Sequence, residues 1–166
     1  MLVKNYSSHI GIIGGGIAGL TVGCALRLQG INTIVFERAD EISEYGAGIS
    51  ISPNALRPLQ KLGIRDGFVD RSFVPERAVM HYQGKEIRSL ETQVVTSSRQ
   101  KLIEAIHQRY VGLGGEIFFE HEYKSLDANS CEITFTNNKV YKVSHVLACD
   151  GIKSSARQNH FPSSGV

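Results

Sequence analysis

The chain has 166 residues, of which 42% are hydrophobic, and its 18 basic and 16 acidic residues give a formal charge of +2. This composition suits one globular domain with a hydrophobic core and excludes an intrinsically disordered chain. The near balance of charge, without a run of Lys or Arg, predicts no binding to nucleic acid or to an anionic membrane surface.

The beginning of the chain predicts a strand, a glycine-rich turn, a helix and a second strand. Ile10 to Ile13 is a short apolar strand, and the glycines after it interrupt the pattern. Ile17 to Gln29 has apolar residues at helical spacing and ends before Gly30. Thr33 to Phe36 is a β-branched strand. This order is a βαβ unit, whose crossover is right-handed and whose strands are parallel.

The rest of the chain mixes helical and strand patterns. The predicted elements are a helix from Ser52-Pro53 to Leu62, a hairpin of Arg77 to Tyr82 and Glu86 to Leu90, a helix from Ser97 or Ser98 to about Val111, a strand from Glu116 to Phe119, an antiparallel meander over Tyr123 to Val143 with a turn at Thr136 to Asn138, and a strand from Ser144 to Ala148. The tail after Arg157 has no periodicity. The predicted fold class is α/β, a Rossmann-like domain with a parallel sheet and an antiparallel meander.

One apolar stretch admits a different interpretation. Ile10 to Leu26 carries no charge and resembles a membrane helix or a signal peptide. Its length lies at the lower limit for a membrane span, about 17 residues, and each of its glycines costs about 1 kcal/mol of helix propensity. Met1 to His9 is a poor signal-peptide start. A turn therefore explains the glycines better, and we expect no integral membrane segment.

The glycines between strand and helix follow the pattern Gly14-x-Gly16-x-x-Gly19. The first permits a tight turn, the second lets the backbone approach a pyrophosphate, and the third lets helix and strand pack closely. Free N–H groups and the positive end of the helix dipole then attract phosphate. The residues expected to bind the pyrophosphate are Gly14, Gly15, Gly16, Ile17, Ala18 and Gly19.

An acidic residue follows the second strand, about 20 residues beyond the glycines, as dinucleotide sites require. This residue, Glu37, is placed to accept hydrogen bonds from a ribose diol and disfavours a 2′-phosphate, so we do not expect NADP at this site. The competing interpretation is a glycine-rich turn beside an exposed glutamate. The βαβ unit by itself leaves the choice between FAD and NAD open.

Four sequence blocks together resemble the class A flavoprotein monooxygenases, the family of salicylate and hydroxybenzoate hydroxylases. They are residues 14–20 with Phe36-Glu37-Arg38, residues 46–49 continuing into 52–55 and Leu62-Gly63, Arg99 within residues 98–102, and residues 148–151 continuing through Ser154 to Arg157. The blocks span nearly the whole chain, and the second and fourth are the most specific. The resemblance implies FAD as the cofactor.

The resemblance also implies roles for individual residues. Ala47 and Gly48 would lie along the flavin ring, where small residues let the backbone come close. Arg99, at a helix start, would reach the phosphate or ribityl region with its guanidinium fork. A plain loop and a solvated helix-end arginine are the competing interpretations.

The other implied contacts are near the adenine and in a second sequence fingerprint of the family, Asp150-Gly151, the first being the glycine-rich turn. Arg38 would lie against the adenine or ribose, and Tyr123 beside the adenine, although a surface charge and a core tyrosine are equally ordinary interpretations. Asp150-Gly151 would support the flavin and the NAD(P)H contact, unless it is a simple turn. The family pattern there begins Gly-Ala, whereas this chain has Ala148 and Cys149, which are also small.

The activity implied by the resemblance is hydroxylation of a small aromatic substrate with NAD(P)H and O₂ through a C4a-hydroperoxyflavin. The protein would orient the reactants and exclude water from the site. Residues 1–166 would be an incomplete FAD-binding domain, in which about 73–95 begin a three-layer β/β/α substrate domain. The family's third fingerprint, a Gly-Asp pair, does not occur in the sequence. No catalytic side chain is identified.

Two alternatives remain open at this point: another FAD-dependent oxidoreductase such as a reductase or halogenase, and a truncated, non-catalytic nucleotide-binding module. An exposed sheet edge would favour a homo-oligomer or association with a chain that supplies the missing half. Three scattered cysteines favour reduced thiols and a cytoplasmic protein. The histidines and cysteines lack metal-ligand spacing, so no metal is expected.

Overall fold

The structure is a computed structural model that describes residues 2–42 and 48–161. Two compact units divide the chain, the first formed by residues 1–43 and 106–166 and the second by residues 44–105. In chain order the elements are β1 (Val3–Ile13), α1 (Ile17–Leu28), β2 (Thr33–Phe36), β3 (Gly48–Ile51), α2 (Pro53–Lys61), α3 (Arg65–Val69), β4 (Arg77–Tyr82), β5 (Lys85–Glu91), β6 (Val95–Ser98), α4 (Arg99–Gly112), β7 (Glu116–Phe118), β8 (Tyr123–Asp127), β9 (Glu132–Phe135), β10 (Val140–Ala148) and α5 (Ser155–His160).

The first unit is built on a sheet with the strand order β7-β2-β1-β10-β9-β8. The first four strands are parallel, whereas β9 is antiparallel to β10 and β8 to β9. Every residue of β2 is buried, as expected for a parallel strand that is covered on both faces. The α/β fold with a parallel sheet and an antiparallel meander is therefore confirmed.

Two strand boundaries differ from the prediction. β1 begins at Val3 rather than Ile10, and its polar first half pairs with the first half of β10. Most side chains of this first half are exposed, so it carries no apolar signal. The division between a meander ending at Val143 and a strand beginning at Ser144 is wrong, because β10 is continuous and pairs with β1 along its length.

Four elements were not predicted. The short helix α3 follows α2, and β3 pairs with β6 in the second unit. Helix α5 extends to His160 and so includes part of the tail after Arg157, where the sequence has no periodicity. Its start is set by Ser154, whose Oγ accepts a hydrogen bond from the Arg157 N–H at 2.9 Å. Such a cap stabilises a short helix that has almost no apolar periodicity.

The apolar stretch from Ile10 to Leu26 is divided between the end of β1, the turn and α1. In the described part of the chain, every helix is too short or too polar to cross a membrane.

An aromatic cluster fills the core on one side of the first unit. Phe36 lies 4.6 Å from Phe135 and 4.8 Å from Tyr141, measured between ring centroids. His121 is buried among these rings, with its Nδ1 2.5 Å from the Phe119 carbonyl oxygen and its Nε2 2.9 Å from the Tyr141 hydroxyl. Because a carbonyl only accepts, the Nδ1 position carries the proton and the tyrosine O–H donates to Nε2.

This buried histidine predicts an acid-sensitive fold. Burial lowers the pKa of His121 below its ordinary value of 6.5, and the nearby Lys139 and Lys4 also lower it, against a raising contribution from the Phe119 carbonyl. The unfolded chain therefore binds the proton first as the pH falls, so the free energy of unfolding decreases below about pH 6.5 and is unaffected by this group above it.

Urea unfolding between pH 5 and pH 8 checks this expectation, with His121→Gln as the comparison. The variant should be less stable at pH 8, and its stability should fall less steeply toward pH 5. Burial also lowers the pKa of His107, so part of the slope should persist in the variant. Equal slopes in both proteins would contradict the assignment to His121.

Candidate dinucleotide-binding site

The predicted cofactor residues of the first unit lie at one edge of its sheet. β1, β2 and β10 are adjacent and parallel, so their carboxyl ends meet at the same edge. Gly14 directly follows β1, Glu37 directly follows β2, and Asp150 lies two residues after the end of β10. The crevice outside the carboxyl ends of parallel strands is where open α/β sheets bind their ligands.

The turn after β1 is packed too tightly for side chains at two of its glycines. Gly14 has a φ of +103°, and a Cβ there would lie 2.4 Å from the carbonyl oxygen of Cys149. A Cβ on Gly19 would lie 1.9 Å from the carbonyl oxygen of Gly14. Gly14 thus permits the turn, as predicted, and also lets the end of β10 approach it.

Gly16 differs from these two glycines because no atom lies within 4 Å of the position of its Cβ. Open space therefore adjoins the backbone at the start of α1. The first intrahelical bond joins the Leu20 N–H to the Gly16 carbonyl at 3.0 Å, so the preceding N–H groups of the first turn have no helical partner. No side chain of the described residues caps them, and the first turn holds no acidic residue. This arrangement suits an anion.

Glu37 is held in place by two backbone donors. The Gly15 N–H donates to its Oε2 at 2.6 Å, and the Ala39 N–H donates to its Oε1 at 2.9 Å. A carboxylate can accept about four hydrogen bonds, so acceptor capacity remains for a ribose diol. Glu37 is half-buried and accepts two backbone hydrogen bonds, whereas the competing interpretation places an exposed glutamate there. The bond to Gly15 could not be predicted from the residue pattern, because every residue except proline carries a backbone N–H.

The second fingerprint packs against the first. A Cβ on Gly14 would lie 3.1 Å from the Cα of Asp150, and Gly151 has a φ of +85°, which favours glycine. The Asp150 Oδ2 accepts a hydrogen bond from the Ala156 N–H at 3.2 Å. Its Oδ1 is buried and has no hydrogen-bond partner among the described residues. A buried carboxylate oxygen without a donor is costly, so this oxygen is suited to accept a hydrogen bond from a bound group.

Arg38 and Tyr123 occupy contrasting positions. Arg38 is exposed just after β2, next to Glu37. Tyr123 is 7% exposed, packs in the hydrophobic core, and places its hydroxyl 3.0 Å from the Nε2 of His160. Contact of either side chain with an adenine stays a prediction, and for Tyr123 only a small part of the ring surface is available.

In the second unit the predicted residues Gly48 and Arg99 are brought together by the pairing of β3 with β6. Gly48 pairs with Ser98, the residue before Arg99, which is the first residue of α4. The Gly48 position has room, since a Cβ there would meet only the Ser97 carbonyl oxygen at 3.9 Å. Ala47 lies outside the described residues.

The residues of the first unit fit the phosphate and ribose part of FAD. Open space at Gly16, uncapped N–H groups, a fixed carboxylate at Glu37 and the unpartnered Asp150 Oδ1 are all features that a bound dinucleotide would use. Within the described residues, no cluster of His, Cys, Asp and Glu is arranged to hold a metal ion.

Comparisons with known proteins agree with this geometry. The profile of a family described as FAD binding domain matches residues 7–161. The chain is 29% identical over 172 aligned positions to the FAD-dependent monooxygenase OpS4 of Beauveria bassiana, which covers 95% of this chain and 40% of that protein. It is 29% identical over 152 positions to Monooxygenase 1 of Arabidopsis thaliana, covering 86% of this chain and 38% of that protein.

A solved structure of an oxygenase is also similar to this chain. The tetrameric form of 2-methyl-3-hydroxypyridine-5-carboxylic acid oxygenase superposes with a TM-score of 0.84 at 26% identity, covering 92% of this chain and 42% of that one. The chain thus spans about two fifths of the length of the relatives it matches.

Replacement of the ribose-side carboxylate tests the site. We expect Glu37→Ala to weaken binding of FAD by about 1–3 kcal/mol, the usual cost of losing a hydrogen bond to a charged group. Glu37→Gln should have an intermediate effect, because its amide oxygen can still accept one of the two backbone N–H groups. Titration followed by flavin fluorescence measures both variants, and an unchanged dissociation constant for Glu37→Ala would remove Glu37 from the ribose site.

Proposed function

This chain belongs to the FAD-binding domain family, and from that premise we propose that it forms the FAD-binding part of a flavoprotein monooxygenase. The proposed reaction is the hydroxylation of a small aromatic substrate with NAD(P)H and O₂. The observation that carries the proposal is the turn at Gly14 to Gly19, where open space and uncapped N–H groups adjoin a fixed carboxylate. The relatives named as FAD-dependent monooxygenases support it.

The chain's own residues contribute binding and orientation. The N–H groups at the start of α1 would hold the pyrophosphate, and Glu37 would accept hydrogen bonds from the ribose. Because Glu37 is anionic and fixed by Gly15 and Ala39, a 2′-phosphate would be repelled there. The flavin, when bound, supplies the electron transfer and the oxygen chemistry. Asp150 would offer its unpartnered Oδ1 to a donor at the same edge of the sheet.

Further parts of the proposal concern the second unit and the location of the protein. Gly48 and Arg99 would contact the flavin and the phosphate or ribityl region, and the β4–β5 hairpin would begin a substrate domain. Residues 1–166 would then be an incomplete FAD-binding domain.

We also propose that the protein is cytoplasmic, which the free thiols of Cys24, Cys131 and Cys149 support.

A second candidate function is a nucleotide-binding module without turnover. The observation that favours it is that the uncapped turn at the start of α1 and the fixed carboxylate of Glu37 are features that bind a nucleotide. Binding and catalysis are separable because the phosphate turn and Glu37 lie within the first unit. Such a module would bind FAD or ADP and consume no NADH.

Titration of FAD and of ADP into the purified chain tests the proposal. Saturable FAD binding with an altered flavin spectrum, displaced by ADP and strongly weakened in Gly16→Ala, is the expected result. FAD binding that Gly16→Ala leaves unchanged would remove the turn from the site, and the absence of binding by both ligands would reject the proposed FAD site for this chain. NADH and O₂ are then added to the FAD-loaded chain. Consumption of NADH favours the enzyme, and binding without consumption favours the module.

A further inference from the structure

The segment that carries Glu37 is held by the end of β7 and the turn that follows it. The Glu37 N–H donates to the Phe118 carbonyl at 2.9 Å, and the Glu37 carbonyl accepts a hydrogen bond from the His121 N–H at 2.8 Å. The Glu120 N–H donates to the Ala39 carbonyl at 2.9 Å. Ala39 in turn donates its own N–H to the Oε1 of Glu37. The turn after β7 therefore supports the backbone on both sides of the proposed ribose carboxylate.

This turn, residues 119–121, is anchored on the antiparallel meander by the ring of His121. The Nε2 of the ring lies 2.9 Å from the Tyr141 hydroxyl on β10, and the Nδ1 donates to the Phe119 carbonyl within the turn. The side chain of Asn137 is a second anchor, since it donates to a carbonyl of the turn at 2.7 Å. His121 is only 3% exposed, so its ring cannot move without moving the turn.

Proton uptake changes the contacts of this ring. The neutral ring accepts a hydrogen bond from the Tyr141 O–H, whereas the protonated ring has N–H donors at both nitrogens and repels that hydroxyl hydrogen. The groups that face the ring are three aromatic side chains, one hydroxyl, two cations and one carboxylate, namely Phe36, Phe118, Phe135, Tyr141, Lys4, Lys139 and Glu120. Burial and the two cations disfavour the charged ring. We therefore expect a protonated ring to move toward solvent together with its turn.

We propose that His121 is a positioning residue of the dinucleotide site, and that its protonation weakens binding by releasing the backbone that fixes Glu37. The inference rests on the proposed function, because that function assigns the ribose to Glu37. A neutral His121 holds the turn, and the turn holds the backbone from Glu37 to Ala39. The dinucleotide then binds the neutral form better, so its affinity decreases as the pH falls through the pKa of His121.

Two other effects of this histidine make different predictions. If His121 only fills the core, acid lowers the fraction of folded chain, and every folded molecule binds FAD equally well at each pH. If its charge acts only through space, acid strengthens binding, because an anionic pyrophosphate is attracted by an additional positive charge. The direction of the pH dependence in the folded chain therefore separates the three cases.

Titration of FAD into the purified chain between pH 5 and pH 8 tests the effect on binding, with circular dichroism to verify folding at each pH. The dissociation constant should rise by at least about threefold from pH 8 to pH 5. His121→Gln should give a flatter profile. The matched control, His107→Gln, replaces another histidine whose pKa is lowered by burial and should keep the wild-type profile. Equal profiles in the wild type and His121→Gln, or affinity that rises as the pH falls, would overturn the proposal.

NMR of the ligand-free chain tests the positioning without FAD. The N–H groups of Gly15 and Ala39 donate to the Glu37 carboxylate, so their amide resonances report its position. Both should shift with the same midpoint as the ring protons of His121, and this comparison needs only the wild-type chain if His121→Gln does not fold. A ring that stays neutral to pH 5, or amides that do not follow it, would overturn the proposal. Absence of FAD binding at every pH would instead reject the proposed function, and the amide shifts would still decide whether His121 positions Glu37.

Discussion

Replacing Gly16 by alanine is expected to weaken FAD binding strongly and to leave the fold intact. The backbone at Gly16 has a φ of −72°, which alanine adopts freely, and no protein atom lies within 4 Å of the added methyl. The free energy of unfolding should therefore be close to that of the wild type. The methyl occupies the space where a pyrophosphate would approach the backbone, so affinity should fall by more than about tenfold, or 1.4 kcal/mol.

Gly19→Ala is the informative partner of this variant, because its methyl would lie 1.9 Å from the Gly14 carbonyl oxygen. Helix α1 must move away from the turn, at a cost of about 1–3 kcal/mol or more for such overpacking. We expect loss of both stability and FAD binding. Urea unfolding and FAD titration of the two variants separate ligand space from packing. A destabilised Gly16→Ala, or a Gly19→Ala as stable as the wild type, would contradict the geometry of the turn.

Tyr110→Ala is expected to cause the largest loss of stability, about 3–5 kcal/mol for removal of a buried aromatic ring. Tyr110 is fully buried near the end of α4, and its ring lies against Gly23 of α1 and against Gly115. A Cβ at either glycine would lie within 2.6 Å of the ring, at 2.6 Å for Gly23 and 2.3 Å for Gly115. Its hydroxyl lies 3.0 Å from the Oγ1 of Thr33.

Tyr110→Phe provides the control for this prediction. The ring stays in place, and the hydroxyl loses its hydrogen bonds to the buried Thr33 Oγ1 and, at 3.4 Å, to the Glu116 carbonyl oxygen, which should cost about 1–2 kcal/mol. Urea unfolding followed by far-UV circular dichroism measures both variants. Losses of similar size in the two variants would mean that the hydroxyl, rather than the packing of the ring between the two glycines, determines the effect.

The early part of the chain could be predicted well because its signals are local. The sequence places a strand, a glycine turn, a helix and a second strand ending at Glu37, and the structure contains these elements in that order. The order and spacing of the glycines in the turn are local features of the sequence. The resemblance of four blocks also led to the family that the profile match supports.

Contacts between distant segments were beyond the reach of the sequence. Three contacts join segments whose residue patterns do not predict that they meet. They are the bond from the Gly15 N–H to Glu37, the approach of Cys149 to Gly14, and the pairing of β3 with β6. The early start of β1 belongs to the same class, since its polar residues are held by pairing with β10 rather than by apolar burial.

The sequence by itself determined the βαβ unit, the glycine turn and the acidic residue after β2, because propensity, turn chemistry and apolar periodicity act over a few residues. Only the tertiary structure decided which glycines face open space and which face backbone, how Glu37 is held, and how closely Asp150 approaches Gly14. The physical reason is that these properties depend on which segments become neighbours in the sheet, and strand pairing is set by the packing of the whole unit.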